Sequence, residues 1–194
     1  MNGFSEERAL CATLVELVST TDWLMQALNA VRSSIDVPWC IGAGAIRSCV
    51  WDHLHGYPVR VPDDVDVAFF DAATGVSEER RIAEGLTEAL PGWQWDVVNQ
   101  AHAHKLSKHA DASAFLCLED AIACWPETAT AVGVCMRSSG ALHVLAPHGL
   151  SDLFGLVLRV SPLLRDGDVF EQRCRDKRWH ERWPRVRYDA LTAP

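Results

Sequence analysis

The sequence predicts an α+β fold, a mixed β-sheet covered by helices behind an N-terminal helical segment, and three observations carry that prediction. Apolar residues recur at spacings of three and four through residues 5 to about 33. Beyond them, short apolar runs bounded by glycine, proline or aspartate alternate with helical patterns. One pair of such runs is joined through Ser138-Ser139-Gly140 as a β-hairpin, so the sheet contains antiparallel pairs.

The first segment divides into two helices, with Leu10, Leu14 and Leu17 on one and Leu24, Leu28 and Val31 on the other. Thr20-Thr21-Asp22 supplies cap-type residues between them. Pro38 stops helical character. Trp39-Cys40-Ile41 then reads as a strand, Gly42-Ala43-Gly44 as a tight turn, and Ile46, Val50 and Leu54 as the inner face of a helix closed by His55-Gly56-Tyr57-Pro58. The clearest strand follows, where Val65, Val67 and Phe69 alternate with Asp64, Asp66 and Ala68. Ser77-Glu78-Glu79 opens a helix to about Leu90, and Trp93 to Val98 forms the next strand. Residues 102 to 116 carry no clean period and read as a loop with a partial helix. Leu118 to Cys124 is a short helix. Thr130 to Met136 and Leu142 to Leu145 make the hairpin, Gly149 to Phe154 a helical turn, Leu156 to Val160 a short strand, and Val169 to His180 the last helix.

At 194 residues, 48% of them hydrophobic, the chain makes one domain, 1–194, with residues 1–35 as its helical start. No apolar run of about eighteen residues exists to cross a bilayer, and the first residues lack a basic and apolar leader. Seven cysteines with no C-x-x-C pair suit a reducing compartment and not a structural zinc site. A cytoplasmic protein is expected. The net charge of −8 argues against a long nucleic acid held by its backbone. Arg173, Arg175, Lys177, Arg178, Arg182, Arg185 and Arg187 nevertheless crowd the C-terminal end. They read either as a solvated helix face offsetting Glu171, Asp176 and Glu181, or as a contact for phosphate or RNA.

The residues that carry chemistry are carboxylates. Asp64 and Asp66, two apart on a strand, point to one face, and side-by-side anions call for positive charge. A hard divalent cation is the usual agent; exposed acids at a strand mouth are the plain alternative. Asp96 lies in the otherwise apolar Trp95-Asp96-Val97-Val98, and if that strand lies beside the first it completes a three-carboxylate cluster. Gly44 sits where a strand turns into a helix and can bring backbone amides to a phosphate, and Arg47, one turn in, can bind phosphate or orient a carboxylate. Asn99 and Gln100 can contact a base or acceptor, or simply end the strand with hydrogen bonds. Trp125 and Trp179 read as core or as base-stacking residues, Asp152 as the start of its helical turn, and His102 with His104 as surface or core histidines before metal ligands.

This combination resembles the polymerase-β-like nucleotidyltransferase superfamily. Ala43-Gly44-Ala45-Ile46-Arg47 looks like the Gly-Gly-x-Val-Arg turn of its tRNA-nucleotidyltransferase and poly(A)-polymerase branch, with Ala43 replacing one glycine. The chain is more closely similar to a small bacterial group of nucleotidyltransferase family proteins. The likeness runs through Gly44-Ala45-Ile46-Arg47, Asp64-Val65-Asp66-Val67, Trp95-Asp96-Val97-Val98-Asn99-Gln100 and the string from Trp125-Pro126-Glu127-Thr128-Ala129-Thr130 to Val134, and it spans roughly residues 40 to 185. That group often has arginine where this chain has Cys135.

The resemblance implies a nucleotidyltransferase-like core over residues 36–194. It implies that Asp64 and Asp66 bind the Mg²⁺ (or Mn²⁺) that carries a nucleoside triphosphate substrate, that Asp64, Asp66 and Asp96 share a second metal, and that Asp96 activates an acceptor hydroxyl. Gly44 and Arg47 hold phosphate. The acceptor is a small molecule, a protein or a short RNA end. Three readings compete: a transferase releasing pyrophosphate, a catalytically silent nucleotide- or metal-binding regulatory module, and a metal-dependent phosphohydrolase.

Overall fold

In a computed structural model, which describes residues 2–103, 114–164 and 167–189, the leucine-rich start of the chain forms two helices, α1 (Asn2–Ser19) and α2 (Asp22–Ser34). Leu14, Val18, Leu24, Leu28 and Val31 are fully buried, as their spacing requires of an inner helical face. Thr21 occupies the N-cap position of α2 but does not cap it. Its hydroxyl turns back to donate to the Leu17 carbonyl at 2.8 Å, because that carbonyl at the end of α1 lacks an intrahelical partner.

The sheet is built from β1 (Trp39–Gly42), β2 (Val65–Phe69), β3 (Trp95–Asn99), β4 (Gly133–Met136) and β5 (Leu142–Leu145), in the spatial order β3-β2-β1-β4-β5. Only β2 and β3 are parallel; the other neighbours are antiparallel. A parallel pair needs a crossover, and α4 (Val76–Ala89) provides it, burying Ile82 and Leu86. Alternation along the strands separates two faces. Trp39, Ile41, Val65, Val67, Phe69 and Val134 face the main core against the N-terminal helices and α3 (Ala43–His55). Cys40, Ala68 and Leu145 face a smaller apolar cluster with Leu118 and Ile122 of α6 (Leu118–Ala123). Asp66 and Asp96 lie on this second face, beyond the cover that α6 gives.

Several boundaries differ from expectation for local reasons. Helix α3 begins at Ala43 and not after Gly44. The first hairpin strand begins at Gly133 and not Thr130, because Thr130 and Ala131 donate backbone bonds to the Glu127 carbonyl and complete a turn there. Gln100–Ala103 forms the short helix α5, which starts at the expected strand end and runs into the segment read as a loop with a partial helix. Residues 104–113 of that expected loop, His104 among them, lie outside the described residues. α7 (Ser151–Phe154) follows the hairpin, and β6 (Val157–Leu158) pairs with β7 (Arg187–Tyr188) instead of extending the main sheet. The expected last helix is two, α8 (Gly167–Lys177) and α9 (Trp179–Arg182), separated by Arg178 in a left-handed conformation at φ 40°. Among the described residues no cysteine forms a disulfide. Among the described residues no helix is long and apolar enough to cross a membrane.

Candidate active site

The parallel register of β2 and β3 pairs Asp66 directly with Asp96. Residues paired in this way share a face, so the two carboxylates stand side by side on the open part of the second face. Asp64, just before β2, borders the same cleft. Burial pushes the Asp66 carboxyl up to about 6, and the negative charges of Asp64 and Asp96 add to the effect. The hydrogen bond from Gly44 and the charge of Arg47 oppose it. Asp96 is also raised, by burial and then by Asp64 and Glu79. Oxygen donors crowded enough to resist ionisation are the set a hard cation relieves. Among the described residues no group of three or more His, Cys, Asp or Glu side chains is placed so as to hold a metal ion by itself. Mg²⁺ does not demand one, since it commonly takes one or two carboxylates and fills its octahedron with water and phosphate oxygens.

The turn from β1 into α3 sets the cleft's second edge. The Gly44 amide donates to Asp66 Oδ2 at 2.9 Å, so this helix-start amide serves the carboxylate. A side chain at Gly44 would bring its Cβ to 3.0 Å from that same oxygen. Arg47, one turn later and 9% exposed, lies 5.4 Å from the ring centres of Trp51, Trp179 and Trp183. One terminal nitrogen donates to Ser48 Oγ at 3.1 Å, while its buried Nε has no partner. Burial lowers its pKa to about 10, despite the nearby negative charge of Glu127 and Asp66. It stays cationic at neutral pH and borders the cleft.

Asn99 is not at the cleft. At 1% exposure, its amide oxygen accepts from the Asp71 and Ala101 amides, and its nitrogen donates to the Asp71 and Thr74 carbonyls. The adjacent residue, Gln100, lines the cleft and accepts from Trp125 Nε1 at 3.2 Å. Trp125 borders the site, whereas Trp179 belongs to the core around Arg47. Asp152 does more than start a helical turn: it accepts from the Thr128 hydroxyl at 2.6 Å and pairs with Arg159 at 2.9 Å. Cys135 lies on β4, away from the cleft, and lines a separate groove with Trp39, Phe70 and His143.

Three further groups line the cleft, and two of them belong to the C-terminal cluster that the sequence offered either as a solvated face or as a contact for phosphate or RNA. Arg173 and Lys177 of α8 border the cleft of about 250 Å³, and Thr130 joins them in its lining. The signal for Arg173 and Lys177 was the arginine-rich C-terminus, whose other members are mostly occupied elsewhere; Thr130 had none. Arg175 pairs with Glu171, Arg178 with Glu181 and Arg182 with Asp52. The cleft is thus lined by three carboxylates, Asp64, Asp66 and Asp96, and by three cations, Arg47, Arg173 and Lys177.

A mixed sheet with paired aspartates on adjacent parallel strands, beside a glycine turn and an arginine helix, defines a protein of the polymerase-β-like nucleotidyltransferase class. The comparison with known families agrees. Residues 32–188 match the model of a nucleotidyltransferase family, and the chain belongs to that family. Among solved structures it is similar to a protein whose NMR structure was described as revealing a CCA-adding enzyme head domain. That likeness has 26% sequence identity and a TM-score of 0.80 over 91% of this chain and 94% of the other. No curated protein matches the sequence.

Proposed function

We propose that this nucleotidyltransferase moves a nucleoside monophosphate from a nucleoside triphosphate to an acceptor hydroxyl in a Mg²⁺-dependent reaction that releases pyrophosphate. The observation that carries the reading is the Asp66–Asp96 register pair beside Gly44 and Arg47. Asp64 and Asp66 would hold the ion that accompanies the triphosphate, with Asp96 joining them toward the acceptor. When bound, Mg²⁺ supplies charge neutralisation for the phosphate oxygens and orients them.

The chain's own groups do the rest. The acceptor oxygen forms a bond to the α-phosphorus as the bond from that phosphorus to the bridging oxygen breaks, and the electron pair leaves with pyrophosphate. Asp96, whose carboxyl is held above its ordinary affinity for protons, takes the hydroxyl proton. The Gly44 amide fixes Asp66, and Arg47 faces the phosphates with a charge that cannot be lost at neutral pH. Positioning and charge supply most of the acceleration, as phosphoryl chemistry requires little covalent help. The acceptor is a small molecule, a protein or a short RNA end, and the cytoplasm is the proposed location.

The test is incubation with labelled nucleoside triphosphates, Mg²⁺ or Mn²⁺ and candidate acceptors. Label should pass to an acceptor with wild-type protein and fall by at least about a hundredfold in Asp66→Ala and Asp96→Ala. Undiminished transfer in either variant removes that residue from its role; phosphate release without labelled acceptor replaces the transferase by a phosphohydrolase.

A further inference from the structure

The cationic lining of the cleft is more elaborate than a lone phosphate-binding arginine requires. Arg173 and Lys177 are four apart on α8, so they share a helix face, and that face borders the cleft. Arg173 does not hang from the helix as a loose surface charge. Its Nε donates to Glu127 Oε1 at 2.6 Å and a terminal nitrogen to Oε2 at 3.2 Å. Glu127 has no exposed surface, and its second oxygen also accepts the Thr130 hydroxyl at 2.6 Å. A planar guanidinium gripped along one edge by a fixed carboxylate presents its remaining donors in one direction.

Two further observations point to an anion. Arg173 and Arg47 lie over the same ring, Trp179, at 5.9 and 5.4 Å, and their charges repel. Arg47 is more than nine-tenths buried with Nε unpartnered. Burial at Arg47 outweighs the negative charge of Glu127 and Asp66, and phosphate oxygens on the cleft side would supply the partners that its buried guanidinium lacks. Arg47, Arg173 and Lys177 border one cleft from two helices, which suits several phosphates better than one.

We propose that α8 supplies a polyphosphate clamp, in which Arg173 and Lys177 hold the outer phosphates of the triphosphate and Glu127 is the positioning residue that aims Arg173. The clamp rests on the nucleotidyl-transfer reading for its biological ligand, but its binding chemistry needs neither metal nor turnover. It also accounts for the Glu127-Thr128-Ala129-Thr130 string, in which a buried acid and its hydroxyl partner hold a helix that is remote in sequence against the site.

Inorganic pyrophosphate in the presence of EDTA is the probe, with binding followed by calorimetry on the full chain. Arg173→Ala should weaken binding about tenfold and Lys177→Ala about threefold, the smaller effect reflecting an exposed and screened charge. Glu127→Gln should weaken it nearly as much as Arg173→Ala, Glu127→Asp should recover part of the loss, and the double variant E127Q/R173A should be no weaker than R173A. Wild-type binding that is absent, or equal in R173A and K177A, overturns the clamp. Wild-type affinity in folded E127Q overturns the positioning role, and if E127Q does not fold, K177A and R173A decide. Asp66→Asn, with one less negative charge in the cleft, should bind pyrophosphate at least as tightly. Intact pyrophosphate binding without any nucleotidyl transfer would sink the transferase reading and leave the clamp; transfer that survives R173A and K177A with unchanged KM would do the reverse.

Discussion

Asp66 is costly to the fold that carries it. Burial and two neighbouring carboxylates hold its proton to about pH 6, against 3.8 for an ordinary aspartate. Between those values the native state binds more protons than the unfolded chain, so stability falls as pH rises, and the penalty is complete above about 6. Asp66→Asn removes the charge and keeps an oxygen for the Gly44 amide. We therefore predict that D66N, while inactive, is more stable than wild type by roughly 1–2 kcal/mol at pH 8 and no more stable at pH 3.5. Urea unfolding of the metal-free protein at both pH values measures it. A variant less stable at pH 8, or equally favoured at both, would show that Asp66 is not under electrostatic stress. The shared face of Asp64 and Asp66 was legible because alternation fixes it, and Asp96 joined them on the condition, met in the structure, that its strand lies beside theirs; the place of Asn99 was not legible. Nothing in Trp95-Asp96-Val97-Val98-Asn99 signals that the last amide meets four backbone groups, since three of them arrive from Asp71 and Thr74 after the neighbouring strand and the fourth from Ala101 beyond its own.

The turn between β1 and α3 shows strain held at the scale of an element. Ala43 adopts φ 46°, a conformation that a Cβ disfavours and glycine does not. It occupies the place of a glycine in the Gly-Gly-x-Val-Arg pattern, which is how the sequence hints at strain that no periodicity could reveal. Ala43→Gly should stabilise the protein by about 0.5–1 kcal/mol without loss of transfer, read as a higher midpoint of thermal unfolding; a lower midpoint would mean that helix entropy outweighs the strain. Gly44→Ala makes the opposite trade. Its Cβ must push the Asp66 carboxylate, not the backbone, so we expect a folded protein with transfer cut by at least about tenfold. Strand-turn-helix segments such as this were readable because turn residues and apolar spacing agree. The boundaries that moved, at Gly133 and Arg178, moved because a turn closed on Glu127 and because Arg178 is left-handed, whereas at Thr21 the boundary held and only the hydroxyl went to the preceding helix.

Across the whole molecule, the net charge of −8 concealed a local separation of charge. The anionic wall comes from β2 and β3 and the cationic wall from α3 and α8, and no local pattern could bring Arg173 to Asp66. Only the assembled chain does so, and it depends on how the C-terminal segment is fastened. Asp52, 1% exposed on α3, accepts from Arg182 at 2.8 Å and from Trp183 Nε1 at 2.8 Å. Trp183 in turn packs edge-on against Trp51 at 5.2 Å and stands beside Arg47. Removing the carboxylate leaves a buried indole donor unpaired and frees half-exposed Arg182 to water, so the indole dominates the cost. Asp52→Ala should therefore destabilise the protein by about 2 kcal/mol and lower its melting temperature by roughly 4–8 °C. Asp52→Asn, which retains an acceptor for Trp183, should lose about half as much. Because the same tryptophans surround Arg47, the near-ultraviolet circular dichroism of folded D52A should change at temperatures well below unfolding, and pyrophosphate affinity should fall with it. A D52A protein with the wild-type melting temperature and aromatic spectrum would mean that α9 stays fastened without Asp52, and that the cationic wall draws its order from Glu127 alone.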